Sequence, residues 1–193
     1  VLAGTIPNCV SYDPTFAHEV GVILHYGLQR MVERQENVFY YITLLNENYP
    51  MPGLTAGTEE QIIKGMYMCK PGAVPPQDTS GASEKRVQLL GSGTILRESI
   101  AAQTLLAADW GIQADVWSCP SFNELTREGQ DAERWNLLHP LETPRVPFVA
   151  QQLGTSSGPV VASTDYMKAY AEQIRPFIPK GRTYKVLGTD GFG

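Results

Sequence analysis

Strand-like and helix-like segments alternate along this 193-residue chain, and their order constrains the fold more than any other feature. Asp13-Pro14 predicts a helix start, because Asp can cap a helix and Pro fits its first position. Apolar residues then recur every three or four positions from Phe16 to Met31. The run 38–45 is β-branched and aromatic, as expected of a strand covered on both faces. Together they predict a parallel α/β layer.

The same alternation returns after residue 86. The predicted strands are 87–90, 114–118, 146–150, 159–162 and 184–187, and the predicted helices are 97–110, 131–138 and a last one, capped by Thr164 or Asp165, that ends near 178. Ser121 stands three residues before Glu124, a capping-box spacing that predicts another helical stretch. Strands that alternate with helices predict a second α/β layer.

Residues 46–85, between the two layers, are rich in proline and glycine, which predicts a connection between domains. One short helix interrupts it, capped by Thr58, and its residues Ile62, Ile63 and Met66 are expected to dock on a neighbouring element. Residues 72–85 are expected to be poorly ordered.

Composition and charge exclude several classes of protein. With 15 Lys+Arg against 20 Asp+Glu, the net charge of −5 offers no basic stripe for nucleic acid or a membrane surface. The longest apolar run, 38–45, is far shorter than the ~20 residues that span a bilayer. Cys9, Cys69 and Cys119 are too widely spaced for a zinc knuckle or a disulfide framework, which predicts the reducing cytosol. Neither end resembles a natural terminus, so we expect an internal segment of a longer protein.

The turn Gly91-Ser92-Gly93 lies between a predicted strand and a predicted helix, where backbone N–H groups can bind an anion. Leu96 stands where a dinucleotide fingerprint has its third glycine, and no P-loop sequence is present. Two interpretations remain open. The turn is a tight strand-to-helix connection, which is favoured, or it contacts an anion.

The three histidines do not form a predicted metal site. His18 and His25 lie seven residues apart, about 10 Å along a helix, too far to share one ion. Both are interpreted as packing or interface residues, and His139 as the cap that ends its helix before Pro140.

No cysteine has a setting that predicts activation, although Lys70 could lower the pKa of Cys69. All three cysteines are interpreted as structural. A charged stretch is interpreted as a solvated helix face; it comprises Arg127, Glu128, Asp131, Glu133 and Arg134. No nucleophile elbow is present. The residues therefore predict two α/β units and no catalytic, cofactor-binding or metal site.

Longer strings carry a resemblance that single motifs do not. They are residues 5–14, 45–52, 129–136, 139–147, 162–168 and 187–193. Together they resemble the decarboxylating component of bacterial pyruvate dehydrogenase, of the single-chain homodimeric type. That component belongs to the transketolase-like thiamine-diphosphate enzymes.

The resemblance implies a fold and a division into domains. Residues 1–48 are similar to the C-terminal part of a pyrimidine-binding domain with its sheet layer, and 49–85 to the interdomain connection with one short helix. Residues 86–193 are similar to a transketolase C-terminal α/β domain that is incomplete at its end. Thiamine diphosphate and magnesium are implied for the full-length enzyme, with their binding groups and the substrate-contacting histidines upstream of Val1. No site residue is carried over to this chain.

The resemblance also implies an activity for the parent protein. Pyruvate is decarboxylated on the thiazolium carbanion of the cofactor, and the acetyl group passes to a lipoyl group of the dihydrolipoyl acetyltransferase partner. A cytoplasmic homodimer is implied, in which this segment serves as scaffold and dimer support and is inactive alone. The alternatives are ketol transfer of the transketolase type, a non-catalytic assembly module and, last, a nucleotide-binding domain.

Overall fold

A computed structural model describes residues 2–73 and 85–191, which form seven strands and six α-helices. The strands are β1 (Cys9–Tyr12), β2 (Phe39–Ile42), β3 (Tyr67–Lys70), β4 (Arg86–Gly91), β5 (Gln113–Ser118), β6 (Val160–Met167) and β7 (Tyr184–Thr189). The helices are α1 (Ala17–Leu28), α2 (Glu59–Lys64), α3 (Ile95–Trp110), α4 (Phe122–Leu138), α5 (Phe148–Leu153) and α6 (Ala169–Glu172). Single turns of 3-10 helix occur at Leu2–Thr5 and Arg175–Phe177, and a π-helical turn, Gln29–Glu33, extends α1.

The strands form two sheets. β1 and β2 pair in parallel, with Cys9 opposite Phe39. The second sheet has the order β3-β5-β4-β6-β7, in which β3 runs antiparallel to β5 and the other pairs are parallel. The predicted α/β class is confirmed.

Of three predicted helix boundaries, two are confirmed by the structure and one is wrong. α3 ends at Gly111, which has φ +61°, as the sequence predicts. Ser121 accepts a hydrogen bond from the Glu124 N–H at 3.0 Å, so the predicted cap is confirmed, but α4 then runs without a break to Leu138. The prediction that Asp13 caps α1 is wrong. The helix begins only after Phe16, because residues 13–16 cross from β1 towards the second sheet.

Two predictions in the second half of the chain are also wrong. The predicted strand 146–150 is replaced by the start of α5, whose first N–H, on Phe148, donates to Glu128 of α4 at 2.6 Å. The predicted helix from Thr164 or Asp165 to 178 does not form at its start, because β6 continues to Met167 and pairs there with Thr189 of β7. Only α6 and one 3-10 turn follow.

Strand β2 is less covered than the run 38–45 predicts. Phe39 and Tyr41 are 45% and 57% exposed on one face, so in the described structure β2 is covered on the other face alone. Strands β1 and β3 were not predicted at all. The expectation of poor order for 72–85 falls mainly on residues 74–84, which lie outside the described part of the chain.

The five-stranded sheet is buried on both faces. Leu90 packs with α4, α5 and α6 on one face, and Leu89 packs with α3 on the other. A third apolar cluster joins the two sheets through Tyr12, Ile23 and Ile62. Ile62 and Met66 are fully buried, which confirms that α2 docks as predicted. Within the described residues, no helix has the length and apolar character needed to cross a membrane.

Candidate functional site

The five-stranded sheet has a crevice between β4 and β6, where its connections change direction. From β4 the chain passes through α3 to β5 on one side, and from β5 it passes through α4 and α5 to β6 on the other. Open α/β sheets bind ligands outside the carboxyl ends of their strands at such a point. We call this place the switch-point crevice; it lies between residues 91–93 and residues 164–166.

Asp13, which directly follows β1 of the two-stranded sheet, occupies the switch-point crevice. The Gly93 N–H donates to the Asp13 carbonyl at 3.0 Å, and the Asp13 N–H donates to the Pro120 carbonyl at 2.6 Å. The Asp13 carboxyl accepts hydrogen bonds from the Thr43 hydroxyl at 2.6 Å and the Tyr166 hydroxyl at 3.3 Å. Asp13 is buried and Tyr166 is partly exposed, so this arrangement connects both sheets at the edge of the protein interior.

The position of Asp13 decides how the Gly91–Gly93 turn is interpreted. Gly93 has φ +53°, and a Cβ there would lie 2.7 Å from Asp13 Oδ2. An anion at the turn would meet this carboxyl at close range, which is electrostatically unfavourable in a buried site. Burial raises the pKa of Asp13, and the hydrogen bonds from Thr43 and Tyr166 oppose that rise. The geometry favours the tight turn over the anion contact.

A second buried carboxyl, Glu19, ties the start of α1 to the second sheet. Its Oε2 accepts from the backbone N–H groups of Thr15 at 2.5 Å and Phe16 at 3.0 Å. Its Oε1 accepts from the Tyr67 hydroxyl at 2.7 Å and the Ser118 hydroxyl at 2.5 Å. Burial and the neighbouring Glu19 raise the pKa of Tyr67, so its hydroxyl remains a donor at neutral pH.

The structure separates the three histidines. His18 lies 3.0 Å from the Tyr67 hydroxyl through Nε2 and 3.0 Å from the Pro52 carbonyl through Nδ1. His25 lies near Gln29 on the exposed face of α1. His139 caps α4 as predicted: its Nδ1 is 2.8 Å from the Trp135 carbonyl, and the two rings stack. Among residues 2–73 and 85–191, no group of three or more His, Cys, Asp or Glu could hold a metal ion.

Two of the three cysteines lie in settings that keep their thiols protonated. Cys9 and Cys119 are buried and Cys69 is half-buried, and all three are free. Burial, together with Glu19, raises the pKa of Cys69 to about 11 and outweighs the opposite effect of Lys70. Burial also raises the pKa of Cys119. Neither Cys69 nor Cys119 is therefore an activated nucleophile at neutral pH.

Part of the charged stretch on α4 is not a solvated face. Arg127 donates to the carbonyls of Cys9 at 2.7 Å and Ile6 at 2.8 Å, across the boundary between the two units. The Glu128 carboxyl accepts from the first turn of α5. The remaining members are exposed as predicted; they are Asp131, Glu133 and Arg134. No periodicity in the sequence distinguishes Arg127 from the exposed members.

A groove of about 430 Å³ lies beside Arg127, between β1 and α4. Arg30, Lys64, Arg127 and Arg145 line it together with three acidic residues, Glu124, Glu128 and Asp131. Burial raises the pKa of Glu124, and the opposing effect of Arg127, 2.8 Å away, does not cancel that rise. Since the charges of the two signs nearly balance, the groove does not favour a ligand of one charge.

A third buried carboxyl, Asp115, lies at the opposite end of the five-stranded sheet. Arg86 donates to it twice at 2.7 Å, and the Gly72 N–H and the Gln88 side chain donate at 2.9 and 2.7 Å. Burial raises the pKa of Asp115, but these hydrogen bonds outweigh it and lower the pKa to about 2. The arrangement is an ion pair that orders the starts of β4 and β5.

This ion pair predicts a specific acid sensitivity. The pKa of Asp115 is about 2 in the folded chain and 3.8 without these partners, as in the unfolded chain. The contribution of Asp115 to the free energy of unfolding is therefore nearly complete above pH 4 and is lost as the pH falls towards 2. The contribution is about 2 kcal/mol. Between pH 6 and pH 3 about half of this contribution is lost, so we expect Asp115→Asn to remove about 1 kcal/mol of the loss of stability in that range, measured by urea denaturation. The exposed Asp131→Asn variant is the control and should keep the acid dependence of the unmodified chain. An Asp115→Asn chain with unchanged acid dependence would contradict the assignment.

Comparison with known proteins first defines the class. The family described as transketolase-like TK C-terminal domain matches residues 65–193, well over half of the chain. The transketolase of Pichia stipitis, solved in complex with sedoheptulose-7-phosphate, matches with a TM-score of 0.54 at 16% identity, over 97% of this chain and 21% of that one. At this identity the likeness shows the fold alone. The chain belongs to the transketolase-like family.

Closer relatives then define the kind of protein. The chain is 57% identical over 193 residues to the pyruvate dehydrogenase E1 component of Cupriavidus necator, covering 100% of this chain and 21% of the relative. It is 57% identical over 190 residues to that of Escherichia coli K12, covering 98% and 20%. The pyruvate dehydrogenase E1 component middle domain matches residues 1–52. The resemblance found in the sequence strings is confirmed, and the chain spans about a fifth of the length of these relatives.

Proposed function

We propose that this chain is part of a thiamine-diphosphate-dependent enzyme that decarboxylates pyruvate and reductively acetylates the lipoyl group of a dihydrolipoyl acetyltransferase. The observation that carries the proposal is 57% identity to a pyruvate dehydrogenase E1 component along all 193 residues. The parent protein is a cytoplasmic homodimer in this proposal. Transketolase activity has less support, because the likeness to transketolases is at 16% identity.

The proposed role of this segment is structural. Residues 1–48 form the C-terminal part of a pyrimidine-binding-like domain, 49–85 the connection and 86–193 the C-terminal domain. Support comes from residues 1–48, where apolar side chains of α1 and of the uncovered face of β2 are open to solvent; Leu24, Leu28 and Tyr41 are 50–57% exposed. Two paired strands with such a face are too few for an independently stable sheet. Further strands of the parent protein would cover it.

The residues of this chain do not fit the implied cofactor and metal. The switch-point crevice is filled by the Asp13 carboxyl, which opposes a diphosphate. The described residues also bring together no group of acidic, histidine or cysteine side chains that suits a metal ion. We therefore assign thiamine diphosphate and magnesium to the part of the parent protein outside this chain, and derive no catalytic step for the residues present.

The proposal is tested on the full-length protein. With pyruvate and an artificial electron acceptor we expect turnover that depends on thiamine diphosphate and magnesium, and with the lipoylated acetyltransferase we expect acetylated lipoyl groups by mass spectrometry. Sugar phosphates offered as ketol donor and acceptor should not react. Ketol transfer without pyruvate turnover would overturn the proposal in favour of a transketolase.

A second measurement tests the placement of the cofactor site. Thiamine diphosphate with magnesium, titrated into the 193-residue chain, should give no binding heat, whereas the full-length protein should bind it. Saturable binding to the short chain would show that the cofactor site lies on these residues.

A further inference from the structure

We propose that Asp13 is a positioning residue, which occupies the ligand position of the five-stranded sheet and thereby sets the first unit on the second. In this inference the switch-point crevice of the five-stranded sheet holds a segment of the same chain. The segment is 11–15, and Asp13 is its central residue. The consequence for catalysis rests on the proposed function, while the consequence for the contact between the units does not.

The crevice is shaped for Asp13 at Gly93. A Cβ added to Gly93 would lie 2.7, 2.9 and 3.0 Å from the three atoms of the Asp13 carboxyl group. The left-handed backbone at Gly93, φ +53°, lets its N–H reach the Asp13 carbonyl. Glycine is therefore required at 93 both for the turn and for the space that the Asp13 side chain fills.

One residue reaches three strand ends through this crevice. The Asp13 carboxyl accepts hydrogen bonds from Thr43, just after β2, and from Tyr166, near the end of β6. Its backbone N–H donates to Pro120, which follows β5. Asp13 itself directly follows β1. The contact joins both sheets at their carboxyl ends.

Neighbouring residues hold segment 11–15 against the same edge. The Thr15 hydroxyl donates to the Gly93 carbonyl at 2.6 Å. The Ser121 hydroxyl donates to the Ser11 carbonyl at 2.6 Å, and Asn123 donates to the Ser11 hydroxyl at 2.6 Å. These bonds fix the backbone on either side of Asp13, so its carboxyl cannot leave the crevice unless the segment shifts.

Directional bonds explain why a carboxyl occupies this place. Burying a polar group costs free energy that an apolar side chain would not cost. Hydrogen bonds to Thr43 and Tyr166 restrict the orientation of the units in a way that apolar packing does not. The carboxyl therefore specifies the relative position of the units, and we expect its loss to loosen both sides of the contact together.

Hydrogen exchange of the full-length protein tests the contact directly. Asp13→Ala should raise exchange about tenfold both in the peptide around residue 13 and in that around residue 93, since a tenfold change corresponds to the 1.4 kcal/mol scale of one such bond. Asp13→Asn keeps an acceptor oxygen and the shape, and should restore protection at 93. Exposed Asp131→Asn is the control and should change neither peptide.

Gly93→Ala provides the reciprocal variant. Alone, it should loosen the peptide around residue 13, because the new Cβ displaces the carboxyl. In the Asp13→Ala background, Gly93→Ala should raise exchange around residue 13 less than it does alone, because the carboxyl atoms that the new Cβ meets are gone and only the cost of a left-handed alanine at 93 remains. Independent effects of the two changes, or a change confined to the mutated peptide, would overturn the inference.

The activity of the same full-length variants shows whether the position matters for turnover. Asp13→Ala should lower kcat for pyruvate about tenfold and leave KM within about twofold, because a shift of residues 1–48, proposed as part of the pyrimidine-binding-like domain, would misplace the reacting groups of the parent protein more than it would weaken the binding of a small substrate. Asp13→Asn should recover kcat. A variant with loosened peptides and full kcat would overturn the positioning role. An unmodified protein without pyruvate turnover would overturn the proposed function, while the exchange result would still decide on the contact.

Discussion

Replacing Gly158 by alanine should destabilise this chain by about 4 kcal/mol, the largest loss that we expect from adding a single methyl group. Gly158 has φ +82°, a left-handed conformation that costs a residue with a Cβ about 1–2 kcal/mol. A Cβ there would lie 1.8 Å from the backbone carbonyl oxygen of Arg86. Because that oxygen belongs to the first residue of β4, the starts of β4 and β6 must separate to admit the methyl group. Such overpacking typically costs about 1–3 kcal/mol more.

The chain contains a matched control for the backbone effect. Gly181 also has φ +82°, and a Cβ there would meet nothing within 4 Å. Gly181→Ala should therefore lose about 1–2 kcal/mol from the left-handed conformation alone. Both variants are measured by urea denaturation followed by tryptophan fluorescence, to which the buried Trp117 contributes. Equal losses would mean that the close approach at Arg86 has no energetic effect.

The sequence predicts strands β4, β5 and β7 of the second sheet well because their local signals agree with one another. The strands at 87–90, 114–118 and 184–187 and the helix that ends at Gly111 combine periodicity, β-branched residues and a stop signal within one segment. Tertiary contacts do not oppose these signals, and the structure follows them.

The errors occur where a distant segment decides the local structure. Asp13 and Pro14 are good residues for a helix start, but the buried Asp13 is used instead by the turn at Gly93, 80 residues later. Thr164 and Asp165 are good caps, yet β7 offers β6 further pairing as far as Met167. Local propensity is a weak preference that such contacts override.

The contacts between the units could not be predicted from spacing at all. Arg127 and Arg134 lie on one helix in similar surroundings of sequence, and only the fold shows that Arg127 reaches the backbone at Cys9 and Ile6. The strands β1 and β3 have four residues each, so their pairing partners, rather than their own pattern, identify them. The family resemblance could be found from the longer strings because each string matches a whole segment of the family rather than a local pattern.

Glu19 is expected to be the most sensitive side chain between the two units. Its carboxyl is fully buried and accepts four hydrogen bonds, two from backbone N–H groups at the start of α1 and two from the hydroxyls of Tyr67 and Ser118. Glu19→Gln keeps one acceptor oxygen for the two backbone N–H groups, but it loses the negative charge, and its NH2 group meets the hydroxyls of Tyr67 and Ser118, which must turn from donating to accepting. We expect a loss of about 3 kcal/mol for Gln and about 4 kcal/mol for Ala, which leaves all four donors without this acceptor.

The control for Glu19 is another glutamate in the first turn of a helix. Glu98 lies in the first turn of α3 and is exposed, so Glu98→Gln changes the same chemical group without removing buried acceptors. Its effect should stay within about 0.5 kcal/mol. Ser118→Ala removes one of the four donors and should cost about 1 kcal/mol. If Glu19→Gln were as mild as Glu98→Gln, the four-donor arrangement would not hold α1 on the second sheet, and the link between the two sheets would have to come from other contacts, such as the bonds of segment 11–15, those of Arg127 and the apolar cluster around Tyr12.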